Sequence, residues 1–290
     1  TWEYDYTVFD KWVEFMMSMG IDQQINCYTL IPWALKFDYF DQATSRIQFL
    51  EAKPGEVAYE DYWGTFLKDF SAHLRRKGWF DRTTISMDER GLEAMKEAIK
   101  VIRKADPEFK ISLAGNYHGE IEQDLYDLCI AFGQKFPEEI KESREKTGKI
   151  STVYTCCSEA RPNTFTFSPP AEATWLGWHA AAGNYDGYLR WAYNSWTIDP
   201  LRDSRFRTWA AGDCYLVYPH GYSSIRMERL IEGIQDYEKI RILRKEFTDK
   251  KATGKLKKLD AAVSLFSDEN IWKRDAAKDV NDARKILNGF

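Results

Sequence analysis

Two adjacent carboxylates, Asp88 and Glu89, stand immediately after Thr83 to Met87, a short run with the character of a strand. Closely spaced acids push their pKa values apart, so that one holds a proton near neutrality while the other stays charged. Glycosidic bond cleavage uses such a pair: a proton donor at the departing oxygen and a second group opposing the oxocarbenium charge, about 5 Å away in ordinary retaining enzymes. Successive strand residues point to opposite faces, so Asp88 is placed to face a barrel axis while Glu89, at the turn out of the strand, swings over its mouth. The same acids also suit the start of a helix before Leu92, as caps and dipole partners, and the residues alone support both roles equally.

The aromatic content points the same way. The chain holds eleven tryptophans, and aromatic faces complement the C–H faces of sugars, although a tryptophan in a barrel more often serves packing. Trp33, Trp175, Trp178, Trp191, Trp196 and Trp209 gather near predicted loops. The candidate substrate-binding residues end strands or begin the following loops: Tyr28 with Trp33, then Asn116, Tyr117 and His118, then Tyr154, and finally Trp191, Asn194 and Trp196. Asn116, Asn194, Asp199 and Arg205 suit sugar hydroxyls and, equally, loop caps or ion pairs, whereas His73 sits on a helix and reads as structural. Neither a serine nucleophile elbow nor a phosphate loop is present. Five cysteines without C-x-x-C or His-rich spacing suggest free thiols, with no metal site and no cofactor.

These residues need a scaffold that gathers strand ends. Apolar runs at Gln24–Tyr28, Thr83–Met87, Lys110–Ala114, Asp127–Ala131, Ser151–Thr155 and Gly187–Trp191 alternate with helical periodicity, the signature of a parallel α/β sheet with helical crossovers. Phe9, Trp12, Val13 and Met16 make one helical stripe. A longer one runs from Tyr59 to Leu74 and closes on Arg75-Arg76-Lys77-Gly78, while Leu92, Met95, Ile99 and Ile102 make a third. Cys214 to Tyr218 is strand-like but lacks a convincing crossover helix before it, so it falls in an elaborated loop. Downstream, Ser223 or Ser224 caps a long helix with Met227, Leu230, Ile231, Ile234 and Tyr237 on its apolar face. Two more helices follow, on Leu256, Leu259, Val263 and Phe266, then on Ala276, Val280, Ala283 and Leu287.

The fold expected is a (β/α)8 barrel in a single domain, with residues 1–245 as barrel and 246–290 as a helical extension. Six strands, in a chain that opens at Thr1 without an initiator Met or export signal, lead to the expectation that two strand units lie upstream. At 290 residues, 44% hydrophobic, the chain can bury a sizeable core. A net charge of −4 offers no broad cationic surface, so nucleic acid is not an expected partner. No apolar run approaches the roughly 20 residues that span a bilayer.

At these same residues the sequence resembles glycoside hydrolase family 123, the β-N-acetylgalactosaminidases. The resemblance covers about residues 5–245 and rests on Phe9-Asp10-Lys11 with Gly20-Ile21, His73-Leu74 through Gly78-Trp79, Asp88-Glu89-Arg90, and Tyr154-Thr155-Cys156-Cys157 with Pro162-Asn163-Thr164. It continues through Gly187 to Trp196, Asp199-Pro200, Asp203-Ser204-Arg205-Phe206 and Gly233 to Lys239. It implies a (β/α) barrel, a glycan substrate ending in a 2-acetamido sugar, and substrate-assisted retention through an oxazolinium intermediate. By the same analogy Asp88 orients the acetamido N–H and Glu89 is the acid and base, and the resemblance implies a periplasmic or secreted protein. Two other readings stand beside it: preference for the gluco epimer, and a non-catalytic glycan-binding barrel or inactive fragment.

Overall fold

The computed structural model describes residues 1–206 and 208–290, in two compact units, Thr1–Leu128 and Cys129–Phe290. The first unit opens with α1 (Thr7–Ser18) and strand β1 (Ile25–Tyr28). A hairpin of β2 (Lys36–Asp41) and β3 (Arg46–Glu51) comes next, then α2 (Val57–Lys77), β4 (Thr83–Met87), α3 (Leu92–Ala105) and β5 (Lys110–Gly115). Strand β4 lies between β1 and β5 and pairs with both in parallel. Every residue of β4 is buried, as a strand with both faces covered must be. Leu67, Leu74, Ile85, Met87, Met95, Ile102 and Leu113 make up its core. Helix α2 stops where its sequence predicts: Gly78 is left-handed at φ +69°, and Trp79 N–H bonds back to Leu74 C=O.

The unit boundary falls within β6 (Leu125–Ala131). The second unit continues with α4 (Glu138–Lys146), β7 (Ile150–Thr155), α5 (Ala171–Ala182) and β8 (Gly187–Arg190), the last strand pairing with β7 in parallel. Helices α6 (Ile225–Asp249), α7 (Thr253–Val263) and α8 (Ala276–Asn288) complete it. Leu259, Val263, Phe266, Val280, Ala283 and Leu287 bury together with α5, so the predicted C-terminal stripes meet a common core.

All six expected strands are present within a residue or two, and the α/β alternation with parallel pairing is as expected. Among the described residues the main sheet has six strands, short of the eight of a complete barrel, because β2 and β3 pair only with each other. Cys214 to Tyr218 is a loop carrying isolated bridges, Asn194 with Tyr215 and Tyr218 with Tyr222. Three details differ from expectation. The β2–β3 hairpin was not foreseen, because its turn, Gln42 to Ser45, lacks the Asn-Gly type of signal. Trp175 and Trp178 are fully buried in α5 and are core, not loop, aromatics. On α6 the buried face is Arg226, Leu230, Gly233, Asp236 and Ile240, while Ile234 is half exposed.

That rotation of α6 follows from one close approach. A side chain at Gly177 would sit 2.1 Å from the Gly233 carbonyl oxygen, and one at Gly233 would sit 2.7 Å from that of Thr174, so α5 and α6 touch backbone to backbone. Asp236 then accepts from the Trp178 indole N–H at 2.9 Å and pairs with Arg284 at 3.2 Å, and Tyr237 donates to the Tyr185 carbonyl. The Gly233–Lys239 motif is therefore a packing motif. Gly233→Ala is expected to destabilise by about 2 kcal/mol or more through overpacking. Gly254→Ala, where nothing lies within 4 Å, should be neutral or slightly stabilising. Paired thermal melts check the contrast.

Candidate active site

Parallel pairing sets the carboxyl ends of β1, β4 and β5 side by side: Tyr28 is in register with Ser86, and Met87 with Leu113. Thr84 and Ser86 lie on one face of β4, where they form a buried hydroxyl ladder with Ser112 of β5. Ser86 Oγ is 2.5 Å from Ser112 Oγ, which donates to Thr84 Oγ1 at 3.1 Å, and Thr84 Oγ1 donates to Asn26 at 2.6 Å. Asp88 follows at the same two-residue period. Its Oδ1 accepts from the Glu89 backbone N–H at 2.8 Å, and its Oδ2 lies 3.9 Å from Arg90 Nη2. Asp88 is half-buried and Glu89 exposed. Neither acid is inside α3, which starts at Leu92 with Gly91 at its cap position.

Glu89 leans on the neighbouring strand. A methyl group on Gly115, the last residue of β5, would lie 3.7 Å from Glu89 Cα and 3.8 Å from its Cγ. Those are ordinary contact distances, so Gly115 lies beside the acid's stem without being required by it. Asn116 is exposed just beyond, with Tyr117 and His118 half-buried in the same loop. Arg90 ties the β4 exit to the loop after β1, because its Nε donates to the Ile31 carbonyl at 2.8 Å and its guanidinium lies 3.4 Å from the Trp33 ring centroid. The first unit thus brings Tyr28, Trp33, Asp88, Glu89, Asn116, Tyr117 and His118 to one end of its sheet.

In the second unit Tyr154 is buried near the end of β7, and Trp191, Asn194 and Trp196 follow β8, the two tryptophans each 40% exposed. Segment 193–196 is held against 214–217 by backbone bonds, Ser195 N–H to Cys214 C=O at 3.0 Å and Leu216 N–H to Tyr193 C=O at 2.9 Å. The Trp196 indole N–H donates to the Val217 carbonyl at 2.8 Å. Trp209 packs on Trp191, with centroids 5.3 Å apart. Arg205 pairs with Asp203 at 2.7 Å, which holds the Asp203 carboxyl down at about 2. All five cysteines are free thiols, and burial pushes Cys156 up to about 11. Among the described residues no group of three or more His, Cys, Asp or Glu is placed to hold a metal ion.

Two residues that sequence reasoning passed over organise this end. Arg190 and Asp213 form an ion pair whose side chains are 4% and 0% exposed. Arg190 also donates to the Thr155 carbonyl at 2.9 Å and to Asn163 Oδ1 at 3.0 Å, and Asp213 Oδ2 accepts from the Trp191 indole at 3.2 Å. One guanidinium thereby joins the ends of β7 and β8 to two loops. Arg190 stood inside a quoted motif, but Asp213 has no local signal, since its partner lies 23 residues away. Removing one member of a buried pair leaves the other charge uncompensated. Asp213→Ala is expected to cost about 3–5 kcal/mol, and Asp213→Asn less, because its amide oxygen can still accept one of the two hydrogen bonds. Denaturant unfolding, with tryptophan fluorescence as the probe, measures both.

The model of the glycoside hydrolase 123 catalytic domain matches residues 1–243. Among solved structures the chain is similar to a family 123 glycoside hydrolase from Clostridium perfringens, studied for glycolipid glycan hydrolysis. The two share 29% identity at a TM-score of 0.85, over 100% of this chain and 55% of that one. The chain therefore spans little more than half the length of that protein. No curated protein sequence gives a match. No described helix is long and apolar enough to cross a membrane. With the family model matched over most of its length, the chain belongs to glycoside hydrolase family 123.

Proposed function

We propose that the protein releases terminal β-linked N-acetylgalactosamine from glycolipid or oligosaccharide glycans by a retaining, substrate-assisted route. The observation that carries this reading is the unequal setting of the two acids. Asp88 is restrained by the Glu89 N–H and faces a guanidinium, whereas Glu89 is exposed above Gly115. One acid is suited to hold a group in place, and the other to exchange a proton with substrate and water. The family and the glycolipid glycan chemistry of the Clostridium perfringens protein support the substrate class.

In this scheme the 2-acetamido oxygen attacks the anomeric carbon as the glycosidic C–O bond breaks, and the departing oxygen takes the Glu89 proton. Asp88 accepts a hydrogen bond from the acetamido N–H and opposes the positive charge of the oxazolinium. Glu89, now a carboxylate, takes a proton from water as that water's oxygen attacks the same carbon. The ring reopens to the acetamide, the β configuration is retained and Glu89 is protonated again. Asn116, Tyr117 and His118, in the unit that holds the two acids, are the proposed sugar contacts.

The test is turnover of an aryl 2-acetamido-2-deoxy-β-galactoside, its gluco epimer and its 2-hydroxy counterpart. The galacto acetamide should be the best substrate, and the 2-hydroxy sugar should be essentially inert because it lacks the internal nucleophile. Glu89→Gln should lower kcat by about 10²–10⁴-fold with an unchanged melting curve. Equal turnover of the 2-hydroxy sugar would exclude substrate assistance. Faster gluco turnover would reassign the epimer. Sugar binding without hydrolysis would leave a glycan-binding barrel.

A further inference from the structure

We infer that Trp33, backed by Arg90, is the platform for the sugar on the leaving-group side of the scissile bond, so that this residue selects substrates with a saccharide rather than a simple aglycone. The inference rests on the proposed hydrolysis at Asp88 and Glu89 and specifies what lies beyond the bond broken there.

Trp33 is 76% exposed, although burying an indole is strongly favourable. It is nonetheless held in place. The Leu35 N–H bonds to the Pro32 carbonyl at 3.1 Å, closing a turn with Trp33 and Ala34 at its centre. Both flanks of that turn are anchored. On one side Leu30 N–H reaches the Ser86 carbonyl at 3.4 Å and the Leu30 carbonyl accepts from Tyr59 at 2.8 Å; on the other, Ala52 N–H bonds the Leu35 carbonyl at 3.2 Å. The Arg90 guanidinium covers one indole face at 3.4 Å, while its own side chain is 8% exposed and donates to the Ile31 and Glu89 carbonyls. The other indole face is open.

A ring that is backed by a guanidinium on one face, bare on the other and latched to the residue following Glu89 is prepared for a ligand. Its exposure decides which part of the substrate it meets. A pocket that encloses a terminal sugar buries most of that sugar and covers its own lining. An indole standing this far into solvent fits the portion of the glycan that projects outward, past the departing oxygen. A pyranose offering a continuous C–H face, as galactose does, matches the open indole face.

The experiment compares kcat/KM for a 2-acetamido-2-deoxy-β-galactosyl-lactose with that for the corresponding glycosyl fluoride, whose leaving group has no ring to stack. Trp33→Ala should lower the ratio of the two values about tenfold, Trp33→Phe should restore most of it, and Arg90→Lys should lower it too by removing the planar backing. An unchanged ratio in Trp33→Ala overturns the inference. If the wild-type protein cleaves neither substrate, the hydrolysis reading fails, and lactose binding by saturation-transfer NMR decides the platform separately. Transfer to lactose that is lost in Trp33→Ala, at an unchanged melting temperature, upholds it, and equal transfer in both proteins rejects it.

Discussion

Parallel pairing of β1, β4 and β5 is the constraint on which the candidate site in the first unit depends. Parallel strands end at the same edge of a sheet, so residues far apart in the chain become neighbours once the register is fixed. The register is secured by the buried Thr84, Ser86 and Ser112 hydroxyls, which satisfy one another and Asn26 across three strands. A slip of one residue would turn these hydroxyls toward the apolar face occupied by Ile85 and Met87 and leave them unpaired. The same alignment that keeps polar groups satisfied inside puts Asp88 and Glu89 at the edge, with Gly115 beside them.

The second unit reaches a comparable order by a different device. There the loops after β7 and β8 are long, and long loops stay fixed only if their backbone groups find partners. Arg190 supplies several at once, binding the Thr155 and Asp213 carbonyls and Asn163, and Asp213 neutralises it while holding Trp191. Asn163 extends the network by donating to the Cys156 and Glu159 carbonyls, and buried Glu172 caps it by accepting from Arg161 and the Asn163 N–H. The Asn163 and Arg190 motifs are thus explained by loop anchoring.

Much of this was legible in the sequence because it is local. The strands declare themselves by short apolar runs, Gly78 by the cations before it, and the acid pair by following a strand directly. What was not legible depends on distant partners. The backbone contact of Gly177 with Gly233, which turns Ile234 outward, requires two helices already packed. Asp213 gains its meaning only from Arg190, and Arg90 from the indole it supports. Trp175 and Trp178 were legible as aromatic but not as buried, since the residues that cover them, Phe266 among others, lie on later elements. The carboxylates read equally as caps or as chemistry in the sequence, and the structure puts Gly91, rather than either acid, at the cap position of α3.

The central claim is that adjacent acids divide the work, Asp88 holding the acetamido group and Glu89 moving the proton. The most direct test is calorimetric binding of a galacto-configured thiazoline, a stable mimic of the oxazolinium, to the wild-type protein and the two variants. The account predicts that Asp88→Asn weakens binding by about a hundredfold, the loss of a charge-assisted hydrogen bond, while Glu89→Gln changes it only a few-fold. Equal losses in both variants, or tight binding retained by Asp88→Asn, would contradict the division of roles.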